Sequence, residues 1–132
     1  MTTPQPERAD ATWPDGLLLT YYGDDFTGST DVMEAFTAAG VPTVLFLAPP
    51  RAEDLSRFKH MRCVGLAGLS RSQSPAWMQQ HLPQALESLA ALNAPILQYK
   101  VCSTFDSSSA TGSIGQALDL GVRFVRENWS PM

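Results

Sequence analysis

The sequence predicts an α/β domain of three layers, a mostly parallel sheet flanked by helices. Three observations lead there. Short apolar, β-prone runs alternate with segments whose apolar residues recur at helical spacing. The 132 residues suit one domain with a core of its own. Polar, hydroxyl-rich loops follow the first, third and fourth predicted strands, which is where open parallel sheets bind their ligands.

Residues 17–22 (LLLTYY) form the first strand by length and composition. Residues 28–40 (GSTDVMEAFTAAG) form the first helix, because Val32, Met33, Ala35, Phe36 and Ala39 recur at helical spacing and Gly40 supplies a stop. Residues 41–50 are a second strand, ended by Pro49 and Pro50. Residues 53–61 read as a short helix, and residues 62–70 as a third strand whose glycines allow close approach of a neighbour. Residues 74–93 are helical, with Trp77, Leu82, Leu86, Leu89 and Leu92 on one face, Ser74 as cap and Pro75 at the first position. Pro83 is expected to kink or split this helix. Residues 94–106 contain the fourth strand. Residues 113–128 contain the last helix, broken at Gly121 or passing into a strand at 122–125. Strand–helix–strand repetition implies right-handed crossovers, so the loops after the strands converge on one edge.

Composition narrows the function classes. Apolar content of 44% and charged content of 17% describe a globular chain. A net charge of −4 with scattered basic residues argues against a non-specific nucleic-acid surface. No apolar run is long enough to cross a membrane, and residues 1–16 lack the apolar core of a secretory signal. The Pro-, Thr- and charge-rich residues 1–15 are expected to be a disordered lead-in. Cys63 and Cys102 lie in apolar strand contexts with no metal-ligand spacing, so each is expected to be a buried free thiol in a reducing cytoplasm.

The three loops carry the chemistry. In GDDFTGSTD, residues 23–31, Asp24 and Asp25 repel each other and need water, a cation or hydrogen-bond donors. Either one suits a helix cap or a turn, Thr27, Ser29 or Thr30 also suits the cap, and either acid can accept a hydrogen bond or serve as a base. Adjacent aspartates alone do not define a magnesium site, and no metal ligand is assigned. In LSRSQS, residues 69–74, Arg71 stands among hydroxyls at a strand end. It can be a plain surface residue or a two-pronged ligand for a carboxylate or phosphate. In residues 99–115, Lys100 ends a strand-like run and Ser103, Thr104 and Asp106 follow, with Gly112 and Gly115 bracketing the next helix start. This stretch is neither a P-loop nor a dinucleotide fingerprint. Carboxylates, a guanidinium, an ammonium and hydroxyls together suit a small hydroxylated acid. Arg71 and Lys100 would meet its carboxylate and the Asp pair its hydroxyls, with Phe26 and Phe105 packing inward.

DDFTGSTD, LSRS and YKVCSTFDSS…TGSIG, in this order, resemble the N-terminal, sugar-binding domain of the four-carbon acid sugar kinase family. These are ATP-dependent kinases of threonate, erythronate and 3-oxo-tetronate type acids. The resemblance covers roughly residues 17 to 120. It implies a substrate site with Asp24, Asp25, Thr27, Arg71, Lys100, Ser103, Thr104 and Asp106, in which Asp24 or Asp25 holds or deprotonates the acceptor hydroxyl. Gly23 stands where the family usually has Ala, and Ser113 where it usually has Asn. The resemblance further implies that residues 16–132 are an incomplete Rossmann-like domain, a truncated form of a longer kinase. Mg-ATP would then belong to an absent C-terminal domain, and this chain alone would be inactive. A stand-alone sugar-acid-binding or regulatory module is the alternative. An uncovered sheet edge would favour a homodimer, or pairing with a separately encoded nucleotide domain.

Overall fold

The computed structural model describes residues 13–125. The lead-in expected over residues 1–15 lies, up to residue 12, outside the described residues, as does the stretch of the last expected helix beyond residue 125.

Four strands form one sheet: β1 (Leu19–Gly23), β2 (Thr43–Phe46), β3 (Cys63–Ala67) and β4 (Ile96–Lys100). All neighbouring pairs are parallel and the order is β2-β3-β1-β4. The helices are α1 (Phe26–Ala38), α2 (Ala52–Arg57), α3 (Pro75–Ala90) and α4 (Ile114–Gly121), with a 3₁₀ turn at Ser70–Ser72. The α/β class and the parallel sheet are as the sequence predicts.

Alternate side chains of the central strands feed two cores. Leu19, Tyr21 and Cys63 pack with Val32 and Phe36 of α1 on one face. Tyr22, Val64 and Leu66 pack with Met78, Leu82, Leu86 and Leu89 of α3 and with Ala117 and Leu120 of α4 on the other. The chain therefore leaves β1 toward one face and β3 toward the other. Neighbouring loops diverge there and open a crevice at the carboxyl edge, as is general for open parallel sheets.

Several expectations are corrected. Helix α1 starts at Phe26, two residues before the predicted start; of the caps the sequence offers, Asp25 takes the role, accepting from Gly28 N at 2.8 Å, and Thr27, Ser29 and Thr30 do not. Pro83 does not split α3, which runs unbroken over 16 residues. Buried Met78 and Leu82 before it, and Ala85, Leu86 and Leu89 after it, clamp both halves to the sheet and offset the missing N–H. Residues 122–125 make no strand: the helix ends at Gly121 and the chain turns, with Phe124 N bonding back to Gly121 O at 3.0 Å. Cys102 is only half-buried, unlike Cys63, whose burial pushes its thiol up to about 11. Among the described residues no helix is long and apolar enough to cross a membrane.

Tyr21 is fully buried and its hydroxyl donates to Ser29 O at 2.8 Å, tying β1 to α1. Tyr21→Phe should lower stability by about 1 kcal/mol, read from a urea midpoint. An unchanged midpoint would show that the bond contributes nothing.

Candidate functional site

The register sets the ends of three strands side by side. Gly23 pairs with Ala67 on one side and with Lys100 on the other. The loops that follow are stitched together through backbone. Asp24 N donates to Lys100 O at 2.9 Å, and Arg71 N donates to Asp24 O at 3.0 Å. Farther along, Gly112 N donates to Gln73 O at 2.8 Å. Gly112 has a φ of 59°, and a Cβ there would overlap the carbonyl oxygen of Arg71. Only glycine lets the loop after β4 settle this closely on the 3₁₀ turn.

Arg71 is the hub. Its Nη1 donates to Asp25 Oδ2 at 3.2 Å, and its Nη2 donates to Asp106 Oδ2 at 2.7 Å and to Thr104 Oγ1 at 3.0 Å. Thr104 Oγ1 also donates to Asp106 Oδ2 at 2.9 Å. These bonds occupy three of the five N–H groups of a guanidinium and leave two for a ligand. The hydrogen bonds from Arg71 and Thr104 hold the Asp106 carboxyl below the usual range, and the same contact raises Arg71.

Asp24 differs from its neighbour. It is 6% exposed, and its Oδ1 is buried without a hydrogen-bond partner. Burial raises its carboxyl first, and the Asp25 charge raises it further. The N–H of Cys102 and the charges of Lys100 and Arg71 offset part of this. Beside it lies a buried hydroxyl network, in which Ser70 Oγ and Tyr99 Oη are 2.6 Å apart and Tyr99 stacks on Tyr22 with ring centroids at 5.5 Å.

These groups border an open cleft of about 740 Å³. Of the residues singled out in the sequence, Asp24, Asp25, Arg71 and Asp106 line it together. Thr104 reaches Arg71 from the same loop. Thr27 sits exposed on the first turn of α1, and Ser103 is exposed in the loop after β4; neither lines the cleft. Lys100 does not line it either. Its Nζ donates to Val101 O at 2.6 Å and lies close to Gly28. Phe26 and Phe105, expected to pack inward, are 56% and 69% exposed and form apolar walls of the cleft with Leu69. Phe26 opens α1 on its solvent side and Phe105 sits at a φ of 52°, so neither side chain can reach a core. Ser72, Ser107, Ser108 and Thr111 also line the cleft, and the hydroxyl-rich composition of the two loops was their only signal in the sequence. Among the described residues no three His, Cys, Asp or Glu side chains are grouped to hold a metal ion.

The chain is 69% identical over 120 residues to a 3-oxo-isoapionate kinase of Paraburkholderia graminis, a match covering 91% of this chain and 26% of that protein. It is 34% identical over 103 residues to a 3-oxo-tetronate kinase of Methylobacterium radiotolerans, covering 78% and 24% respectively. A 3-oxo-tetronate kinase of Pectobacterium atrosepticum is 37% identical over 107 residues, covering 78% and 23%. The chain thus spans about a quarter of the length of these curated relatives. Residues 19–129 match the family described as "Sugar-binding N-terminal domain". With the parallel sheet, the three converging loops and this match over most of the chain, the protein belongs to the sugar-binding N-terminal domain family.

Proposed function

We propose that this chain is the substrate-binding part of an ATP-dependent sugar-acid kinase that phosphorylates a hydroxyl of a tetronate, 3-oxo-tetronate or related acid. The observation that carries the reading is the gathering of Asp24, Asp25, Arg71 and Asp106 around one polar cleft at the carboxyl edge of the sheet. The unused N–H groups of Arg71 suit the ligand's carboxylate, and the aspartates suit its hydroxyls. Lys100, beside the start of α1, adds positive charge near the same loop. Thr104, which bonds Arg71 and Asp106, adds a hydroxyl beside the cleft, whereas Thr27 and Ser103 stand outside its lining. The acceptor hydroxyl would lie against the double-Asp loop, where a carboxylate can take its proton during phosphoryl transfer.

Mg-ATP is the expected phosphoryl donor. The reading puts its site in the length of the relatives that this chain does not match, which is about three quarters of them. Strand β4 is an edge of the described sheet, with Ile96 48% exposed, which supports pairing with a second copy or with a separately encoded nucleotide domain. The two free thiols fit a cytoplasmic setting.

Calorimetric titration with 3-oxo-isoapionate, 3-oxo-tetronates, D-threonate and D-erythronate, without nucleotide, tests the reading. Saturable binding of one of them is the expected result. No binding of any, to a sample that melts cooperatively, overturns the proposal that the cleft is a preformed acid site.

A further inference from the structure

The two adjacent aspartates have unequal duties. Asp25 spends its whole carboxylate on the fold: Oδ1 accepts from Gly28 N at 2.8 Å and caps α1, and Oδ2 accepts from Arg71 at 3.2 Å. Asp24 spends none of Oδ1. That oxygen is buried and unpartnered, in a residue that lines the cleft. Its backbone is held from two sides, by Lys100 O and by Arg71 N, so its side chain is placed before any ligand arrives.

A buried carboxylate oxygen with no donor destabilises a fold, and packing gives no reason to keep one here. Such an atom is a site waiting for a donor. A sugar acid carries donors only on its hydroxyls, since its carboxylate is acceptor-only and repelled by Asp24. We infer that Asp24 is the residue that accepts the hydrogen bond of the ligand's hydroxyl, and that Asp25 is a positioning residue that holds Arg71 and the start of α1. This rests on the reading of the cleft as a sugar-acid site and ranks two residues that the sequence leaves equal.

The charges facing Asp24 come from every element around it: Asp25 at the α1 cap, Arg71 in the 3₁₀ turn and Lys100 at the end of β4, with the neutral phenols Tyr22 and Tyr99 below. The folded-state pKa of Asp24 is raised, so ionising it works against folding. Its destabilising effect is absent below the ordinary aspartate value. It grows as pH rises through the raised value and persists above it.

The experiment compares wild type, Asp24→Asn and Asp25→Ala by calorimetry with the best-bound acid and by thermal melting across pH. Asp24→Asn should melt at or above the wild-type temperature at neutral pH, with the gap closing toward pH 3 to 4, while affinity falls about tenfold or more. Asp25→Ala should melt lower, having lost the cap and the partner of Arg71. An Asp24→Asn protein that melts lower than wild type, fails to fold, or binds the acid as well as wild type overturns the assignment. If wild type itself binds none of the acids, the reading of the cleft fails and the assignment falls with it. Binding by wild type and Asp24→Asn alike sinks the assignment alone.

Discussion

Arg71→Ala is expected to weaken binding of the proposed sugar acid about a hundredfold, the equivalent of losing one or two charge-assisted hydrogen bonds. The guanidinium is the only cation lining a cleft that also presents Asp24, Asp25 and Asp106, among the described residues. Without it, three carboxylates face an anionic ligand and no guanidinium N–H remains to meet its carboxylate. The loss to the fold is smaller. Arg71 is about one-third exposed and its partner Asp106 is 63% exposed, so solvent screens the pair and its contribution to stability is small. Arg71→Lys should recover part of the affinity by restoring charge, but not all of it, because an ammonium cannot bridge Asp25, Thr104 and Asp106 while holding a ligand in its plane. Calorimetry and melting on the same samples separate the two effects. An Arg71→Ala protein with wild-type affinity would remove Arg71 from the ligand site.

Gly23→Ala is expected to destabilise the protein by about 1–3 kcal/mol, even though alanine is usually the better residue away from special backbone geometry. Gly23 ends β1, and an added Cβ would overlap Ser29 Oγ and stand 2.8 Å from Ser29 Cβ and 3.1 Å from its Cα. Ser29 has no room to retreat. It is fully buried, its Oγ donates to Asp25 O at 2.6 Å, and its carbonyl receives Tyr21 Oη. The two positions share one volume, so the changes should be coupled. Ser29→Ala alone should lose about 1 kcal/mol with its hydrogen bond, whereas Gly23→Ala with Ser29→Ala should be more stable than the sum predicts by about 1 kcal/mol. The start of α1 carries Asp25, so the single Gly23→Ala variant should also weaken acid binding. Urea unfolding of the four proteins completes the cycle, and strict additivity would show that the close approach of strand and helix is not what excludes a side chain at Gly23.

Most elements were legible from local pattern. Alternation of apolar runs and helical periodicity located the four strands and four helices of the described residues, because burial on one or both faces writes its period into the chain. Ser74 and Pro75 marked the start of α3 by capping chemistry alone. The errors have a common source. The start of α1, the continuity through Pro83 and the outward turn of Phe26 and Phe105 each depend on partners elsewhere in space. Residue type does not report which of several possible caps is used, whether an apolar stripe clamps a proline, or whether a core is within reach.

The same division holds for the site. By itself the sequence determined the α/β class, the three loops that carry chemistry, and the resemblance that named Asp24, Asp25, Arg71 and Asp106 together. Hydroxyls, charges and glycines between strand and helix are local signals. Only the tertiary structure decided the strand order β2-β3-β1-β4, and with it which loops become neighbours. It also decided that Arg71 binds Asp25 and Asp106, 46 and 35 residues away in the chain, while Lys100 turns aside to Val101. It left Asp24 Oδ1 alone. The physical reason is that ion pairing and desolvation depend on distance and dielectric, which the order of residues does not contain until crossovers through two faces of a sheet bring the strand ends together.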